Sequence, residues 1–390
     1  MRDDLPGSSC RLRRGLRPVL ALTAMALVAA GCGNSAGNTT GSSANSPDSA
    51  LAAEVEKLSA PRDAYPIPTE PVGDVSKIAG TTVYYIPITQ QAHQFAITAK
   101  ALSEALATVG MTMQLCNGNS NPSEVSACVS QATAANAGAI VTDSIPYALA
   151  ANGFDAAQAK GIPVLITDQI PDPKHPASTT LGYLEGGGTA MLTAMAKWII
   201  HDSGGTAKVV VNQSTDSQST VAYVEAARKV FDEDCPRCTV TVNKISSANY
   251  SLIASSTSSA LLRTPGANYL VSEFDQYLQP TLSGAQQSGR TPSLKGASAG
   301  AQLPGLKMVE SKNFLHADVG QASVFQGWAD ADAVLRLMTG KPLPDYEIPV
   351  RIFTRDTIGS VELTEEAEES GEWFGPTDFP TKFGNLWKAN

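Results

Sequence analysis

The chain of 390 residues carries 28 Lys and Arg side chains against 37 Asp and Glu, which gives a formal net charge of −9. This acidic balance argues against binding to nucleic acid and against electrostatic adhesion to an anionic membrane surface. Roughly 300 residues follow residue 80, which is enough sequence for two α/β lobes.

The first 31 residues are typical of an export signal peptide. A basic stretch that includes Arg13 and Arg14 precedes the apolar run LALTAMALVAA, which is too short to span a membrane. The run leads into AAGC, which resembles the cleavage site of bacterial lipoproteins and would make Cys32 the lipidated first residue of the mature chain. An ordinary secreted protein is the alternative, and general secretion and twin-arginine export both remain open.

Residues 32–79 are predicted to be a flexible tether and a Pro-rich lead-in. Residues 33–50 consist almost entirely of Gly, Ser, Asn, Thr and Ala, a composition that cannot bury a core. Loss of residues 1–31 removes five basic and two acidic side chains and moves the net charge from −9 to about −12. We therefore expect the lipid, and not charge, to hold the protein at the outer face of the cell membrane.

Four further cysteines are expected to form two local disulfides, because an even set in an exported protein favours pairing. Cys116 ends a predicted strand, and Cys128 falls about two turns into the next helix. Cys235 and Cys238 form CPRC after another helix, whereas a redox CxxC usually precedes a helix. Redox chemistry, metal ligation and other pairings are the alternatives.

The stretch at residues 81–110 shows the unit that the rest of the chain repeats. Residues 82–88 are an apolar run rich in β-branched and aromatic side chains, which predicts a buried strand. The polar loop TQQAHQ follows, and then apolar residues recur at helical spacing as far as Gly110. Similar strand and helix patterns alternate in two series that divide near Gly182. This order predicts an α/β protein with two doubly wound, parallel-sheet lobes.

Several segments in this order resemble the type I periplasmic solute-binding proteins, the ribose- and galactose-binding group that serves ABC importers. The resemblance covers residues 80–357 and rests on the segments KGIPVLITDQ, GYLEGGG, VSEFD and LMTGKPLP. It implies Rossmann-like lobes joined by a three-segment hinge near Gly182, residues 314–323 and Leu343.

The same resemblance implies the domain boundaries. The first lobe would comprise residues 80–182 and 319–342, and the second lobe residues 183–318 and 343–357. Residues 358–390 would form a C-terminal extension, whose aromatic side chains we expect to pack on the surface of one lobe and not to enter the cleft.

In this family the ligand binds between the lobes, at the carboxyl ends of the strands. In the second lobe, the loops that follow the strands contain residues 212–218, 249–250, 273–275 and 298–300. Gln321 matches the hinge glutamine of the family and Asp168 its sugar-binding aspartate. Carboxylates and amides suit sugar hydroxyls, and aromatic rings suit the apolar face of a sugar. The candidate ligand-binding residues are Gln90, Gln91, His93, Phe95, Asp143, Asp168, Gln169, Gln218, Phe274, Asp275 and Gln321.

Several candidates also have an ordinary structural interpretation. Asp168 would then cap a loop, His93 would be a solvated residue at a helix start, and Phe95 would belong to the core. Asp216 is expected to cap a helix. The glycines at residues 186–188 either cradle an anion or, more commonly, form a tight hinge turn.

Three departures from the ribose-binding pattern argue against ribose itself. Gln169 and Val221 stand where the family has Arg, and Ala299 stands where it has Asp. The candidate residues include no Lys or Arg, which disfavours a phosphate or a sugar acid.

The predicted function is therefore that of a monomeric substrate-binding lipoprotein of an ABC importer, which binds a small neutral sugar or polyol. A receptor that passes its signal to a membrane kinase or chemoreceptor is the alternative. An enzyme is disfavoured, since the four His residues have no metal-site spacing and neither GxSxG nor a GxGxxG after the first strand occurs. No cofactor or metal is expected.

Overall fold

The computed structural model describes residues 47–388. The predicted signal peptide and Cys32 lie outside these residues. The described part begins with helix α1, Pro47–Ser59. Within the described part, no helix is both long and apolar enough to cross a membrane.

The first lobe is built on a five-stranded parallel sheet. Its strands are β1 Thr82–Pro87, β2 Thr112–Leu115, β3 Ala139–Asp143, β4 Val164–Thr167 and β5 Leu181–Leu184, in the order β2-β1-β3-β4-β5. The connecting helices are α2 His93–Ala107, α3 Pro122–Ala134 and α4 Ala151–Ala159. Val83 and Tyr85 belong to the apolar cluster that contains α2, whereas Tyr84 and Ile86 pack with α3 and α4. Both faces of β1 are therefore covered, as its continuous apolar run predicts.

The second lobe contains six strands in the order β11-β10-β9-β8-β6-β7. The strands are β6 Lys208–Ser214, β7 Thr239–Ile245, β8 Tyr269–Ser272, β9 Lys295–Ala299, β10 Leu315–Gln321 and β11 Val350–Thr354. The helices are α5 Gly188–Asp202, α6 Gln218–Asp234, α7 Ile253–Arg263, α8 Leu278–Gln287 and α9 Leu303–Glu310. Only β11 runs antiparallel to its neighbour, so the sheet departs from the fully parallel arrangement at one edge.

The chain passes between the two sheets at three places. It passes first between β5 and α5. Helix α10, Ser323–Met338, follows β10 directly, yet packs on α2 and on strands of the first sheet before the chain returns to β11. The sequence predicts a hinge in residues 314–323, and most of this stretch is strand β10.

The glycine run at the first crossing forms a tight turn. Gly186 has a φ of +76°, and a Cβ there would lie 1.8 Å from Oδ1 of Asp168. The N–H of Gly187 donates to Oε1 of Gln321 at 2.6 Å, and Gly188 begins α5. The glycine run therefore fits a tight turn better than an anion cradle, because the N–H of Gly187 already donates to a protein acceptor.

The C-terminal extension contains helices α11, Glu365–Ser370, and α12, Phe379–Leu386. Trp387 stacks on Trp328 of α10 with a centroid separation of 5.7 Å, which places it on the first lobe. Phe374 meets Phe353 of β11 edge-on at 5.8 Å, which places it on the second lobe. The expectation that these aromatic side chains pack on one lobe is therefore wrong. Their burial depends on both.

The lead-in packs beneath this extension. Tyr65 stacks on Phe325 of α10 at 4.7 Å, and the N–H of Arg62 donates to the carbonyl of Phe374 at 2.8 Å. Helix α1 packs on α5 and β11, and Lys197 of α5 pairs with Glu54. Segments at both ends of the described chain therefore make contacts with both lobes.

Both predicted disulfides are present. Cys116–Cys128 joins the end of β2 to α3, and Cys235–Cys238 closes the turn between α6 and β7.

Candidate ligand-binding site

Asp168 lies directly after β4, where two of the crossing segments meet. Its backbone is left-handed with a φ of 53°, which turns the carboxylate away from the strand. Nε2 of Gln321 donates to Oδ1 at 3.3 Å, and Nε2 of Gln326 donates to Oδ2 at 3.1 Å. Gln321 also donates to Oε1 of Gln326 at 2.7 Å. Asp168 is half-buried.

Two further carboxyl groups lie behind Asp168. Asp143 is fully buried and accepts from the hydroxyl of Tyr85 at 2.6 Å. Asp330 of α10 is also fully buried, and neither of its oxygens has a hydrogen-bond partner within residues 47–388. Burial raises the pKa of both groups well above the usual range, and the nearby charge of Asp168 adds to the effect. The protonated form of each is therefore favoured.

Burial raises the pKa of both Asp143 and Asp168, and the nearby charge of Asp168 raises that of Asp143 further. The hydrogen bonds from Gln326 and Gln321 lower the pKa of Asp168 and so favour its charged form. A carboxylate held by two amide donors at the hinge suits a ligand hydroxyl as a third donor.

The lobes are in contact close to Asp168. Ser219 of α6 accepts from the N–H of Ile170 at 3.0 Å and donates to Oε1 of Gln169 at 2.9 Å. Tyr223 donates its hydroxyl to the carbonyl of Asp168 at 3.1 Å. Gln169 is therefore buried in an interlobe contact. Sequence reasoning named the exposed Gln218 and missed its neighbour Ser219, which makes the contact.

Acidic residues of the second lobe accept hydrogen bonds from other loops of the same lobe. Asp275 accepts from the hydroxyl of Ser298 at 2.5 Å and from the N–H of Gln302 at 3.0 Å. Burial raises the pKa of Asp275 to about 6, and burial together with the charge of Asp275 raises that of the neighbouring Asp318 well above the usual range. Phe274 is half-buried and packs against core clusters of this lobe.

Asp216 does not cap α6, contrary to expectation. The N-cap is Ser217, whose side chain accepts from the N–H of Thr220. Asp216 accepts instead from the N–H of Ser247 and, at 2.7 Å, from the hydroxyl of Tyr277. Asp216 precedes the N-cap by one residue, and its carboxylate instead joins its own loop to those of Ser247 and Tyr277.

The predicted candidates thus separate into groups. Asp143, Asp168, Gln169 and Gln321 lie together beside the hinge. Phe95 is buried, with its carbonyl near the Tyr85 hydroxyl. The exposed side chains are Gln90, Gln91 and Gln218. His93 is partly exposed, and its N–H donates to Oε1 of Gln302 in the second lobe at 3.3 Å.

A cavity lies on the other side of Gln321. It encloses about 340 Å³, including the part that is open to solvent, and both lobes and the extension line it. The side chains on which its chemistry depends are Gln94, Gln302, Gln321, Ser323, Glu368 and Trp373. Within the described chain no Lys or Arg lines this cavity, and no group of three or more His, Cys, Asp or Glu residues could hold a metal ion.

Comparisons with solved structures find the same fold in binding proteins. The 5-methylthioribose transporter solute-binding protein from Thermotoga lettingae is 16% identical, with a TM-score of 0.64 over 78% of this chain and 97% of that chain. The Caulobacter myo-inositol binding protein is 16% identical, with a TM-score of 0.62 over 72% and 95%. An Agrobacterium vitis solute-binding protein with bound allitol is 16% identical, with a TM-score of 0.62 over 72% and 97%. No curated protein matches the chain.

The family comparison covers most of both lobes. Residues 83–342 match the model of the periplasmic binding protein domain, and the two α/β sheets with their three crossings are the type I arrangement of that fold. The proteins of this family are extracytoplasmic and bind solutes without transforming them. The chain belongs to the periplasmic binding protein family.

Proposed function

We propose that this protein is the ligand-binding lipoprotein of an ABC importer and that it holds a small neutral sugar or polyol between its lobes. The lipidated Cys32 would anchor it outside the cell, and the tether would let the lobes reach the permease. The main support for a neutral sugar or polyol is the lining of the interlobe cavity. The described cavity wall presents amide and carboxyl groups and no Lys or Arg.

Hydroxyl groups suit this space. Each hydroxyl both donates and accepts, so it satisfies a carboxylate and an amide at the same time. A phosphate or sugar acid would bring a negative charge next to Glu368 and would find no Lys or Arg on the described cavity wall as a counter-charge. Solved structures of the same fold contain allitol, D-allose and myo-inositol, all of which are neutral polyhydroxylated molecules.

A thermal-shift screen tests the proposal. The chain from residue 33 onward would be heated with allitol, D-allose, myo-inositol and D-ribose, each at millimolar concentration. A ligand that binds only the folded state at 100 times its Kd stabilises it by about 2.7 kcal/mol, so a clear rise in Tm is expected for at least one neutral polyol. No rise in Tm with any of these compounds would refute the ligand class.

A further inference from the structure

The C-terminal extension lies beyond the region that matches the family, yet it forms one wall of the interlobe cavity. Glu368 of α11 points into this wall with a side chain that is only 5% exposed. Its Oε1 accepts from the N–H of Leu303, at the start of α9 in the second lobe, at 3.1 Å. Its Oε2 has no hydrogen-bond partner within the described residues and lies 3.5 Å from Nε2 of His93 in the first lobe.

A buried carboxylate oxygen without a donor is costly, so it requires an explanation. Leu303 supplies only one donor, and Nε2 of His93 does not complete a hydrogen bond to the other oxygen. A donor from a bound molecule would satisfy that oxygen, and the cavity that Glu368 lines is partly open to solvent. Because burial raises the pKa of Glu368, a donor that stabilises the charged form has all the more effect.

Other polar groups on the same wall are also available. Gln94 and Ser323 make no side-chain hydrogen bond to any part of the described chain, and Gln302 uses only its Oε1. The indole N–H of Trp373 already donates to the carbonyl of Glu362 at 2.8 Å, so this residue offers the cavity only its apolar ring. Polar groups that converge beside an aromatic wall are typical of a small-molecule site.

We propose that the extension contributes directly to the ligand site. Glu368 accepts a hydrogen bond from a hydroxyl of the bound sugar or polyol, and Trp373 packs against the C–H groups of that ligand. This inference rests on the proposed function and adds a specificity element from outside the family domain. The cavity is partly open to solvent, so a ligand bound between the lobes can reach this wall.

The variant Glu368→Gln tests the carboxylate. Gln keeps an Oε1 that can accept from Leu303, so the fold should survive, but the charge that strengthens the ligand hydrogen bond is lost. Calorimetry would use myo-inositol, allitol and D-allose with wild type and variant. We expect the affinity for each polyol that wild type binds to fall about ten- to a hundredfold. The control is Glu369→Gln, one residue away, whose carboxylate pairs with Lys100 outside the cavity.

Tryptophan fluorescence tests the aromatic wall. The chain has four Trp residues, and of those described only Trp373 lines the cavity. We expect the same polyol to change the emission of wild type, and the change to disappear in Trp373→Phe although the other three indoles remain. A role of Trp373 in folding alone would not produce this selective loss.

The outcomes separate this inference from the function on which it rests. If wild type binds a polyol and Glu368→Gln keeps the full affinity, the extension is only a structural cover and the inference fails while the proposed function stands. If wild type binds none of the polyols, the proposed function fails and the inference fails with it.

Discussion

The position of Asp168 in the chain and the partners of its carboxylate have different origins. Its position after β4 follows from the family pattern, but its two amide partners come from β10 and α10, more than 150 residues later. Gln326 and Asp330 occupy positions i and i+4 of α10 and so share the face that meets Asp168. The spacing of these polar residues is visible in QGWADADAVL, but the helical pattern alone does not reveal the face on which they lie.

The substitution Asp168→Asn keeps the shape of this side chain and removes its charge. If a ligand hydroxyl joins the two amides, the affinity for the polyol should fall about ten- to a hundredfold. Calorimetry would measure this, with Glu225→Gln as a surface control, since Glu225 pairs only with Arg228 on α6. A lower Tm with unchanged affinity would show that Asp168 only caps its loop.

The pair Asp275 and Asp318 should make stability depend on pH. The folded pKa of Asp275, about 6, exceeds its ordinary value of 3.8, so folding favours the protonated form. This contribution is fully present below pH 3.8 and is lost as the pH rises through 6. Asp275 alone should therefore lower the free energy of unfolding, measured with urea, by about 1–2 kcal/mol between pH 5 and pH 7.5.

The variant Asp275→Asn provides the control for that pH dependence. Asn stays neutral and can still accept a hydrogen bond from Ser298, so the loss between pH 5 and pH 7.5 should shrink. Asp143, Asp330 and Glu273 are also buried with raised pKa values and retain their own pH dependence in the same direction. An undiminished slope in the variant would mean that Asp275 is ionised in the folded state throughout this range.

At the scale of helices and strands, the local sequence pattern predicts the secondary structure correctly where one face of a helix or strand is apolar. The strand and helix of residues 81–110 follow their apolar spacing, and both disulfides join segments that are close in sequence. For strand β10 the family resemblance predicts only a hinge, and its sequence LHADVGQ, with a His, an Asp and a Gly, is not a typical strand pattern. Its residue Asp318 is nevertheless buried and accepts from the N–H of Ala301 at 3.0 Å. A polar sequence thus forms a central strand because its neighbours satisfy it.

The extension is the element that sequence reasoning placed wrongly, since nothing local indicates which lobe an aromatic residue will meet. Trp387 stacks on Trp328, and its indole N–H donates to the buried Asp332 at 2.7 Å, beside the ion pair of Asp332 with Arg336. Trp387→Ala should therefore lower the free energy of unfolding by about 3–5 kcal/mol. The exposed Lys388→Ala is the matched control in urea unfolding. Equal stability of the two variants would show that α12 is not part of the cooperative fold.

At the scale of the whole molecule, the proposed lipid anchor would hold the two lobes at the outer face of the cell membrane. Cys32→Ala should release the protein from the membrane fraction or leave an uncleaved precursor, because the proposed function makes this thiol the site of lipid attachment. Cell fractionation and immunoblotting would detect either result. Normal membrane retention of a processed Cys32→Ala protein would show that something other than this cysteine holds it.

The most direct test of the ligand class compares one molecule with and without a single charged group. Calorimetry of the chain from residue 33 onward would measure neutral polyols, with myo-inositol and myo-inositol 1-phosphate as the matched pair. We predict that at least one neutral polyol binds with a stoichiometry of about one and that the phosphate does not, because the described interlobe cavity presents Glu368 and no Lys or Arg. Binding of the phosphate in preference to every neutral polyol would contradict this account.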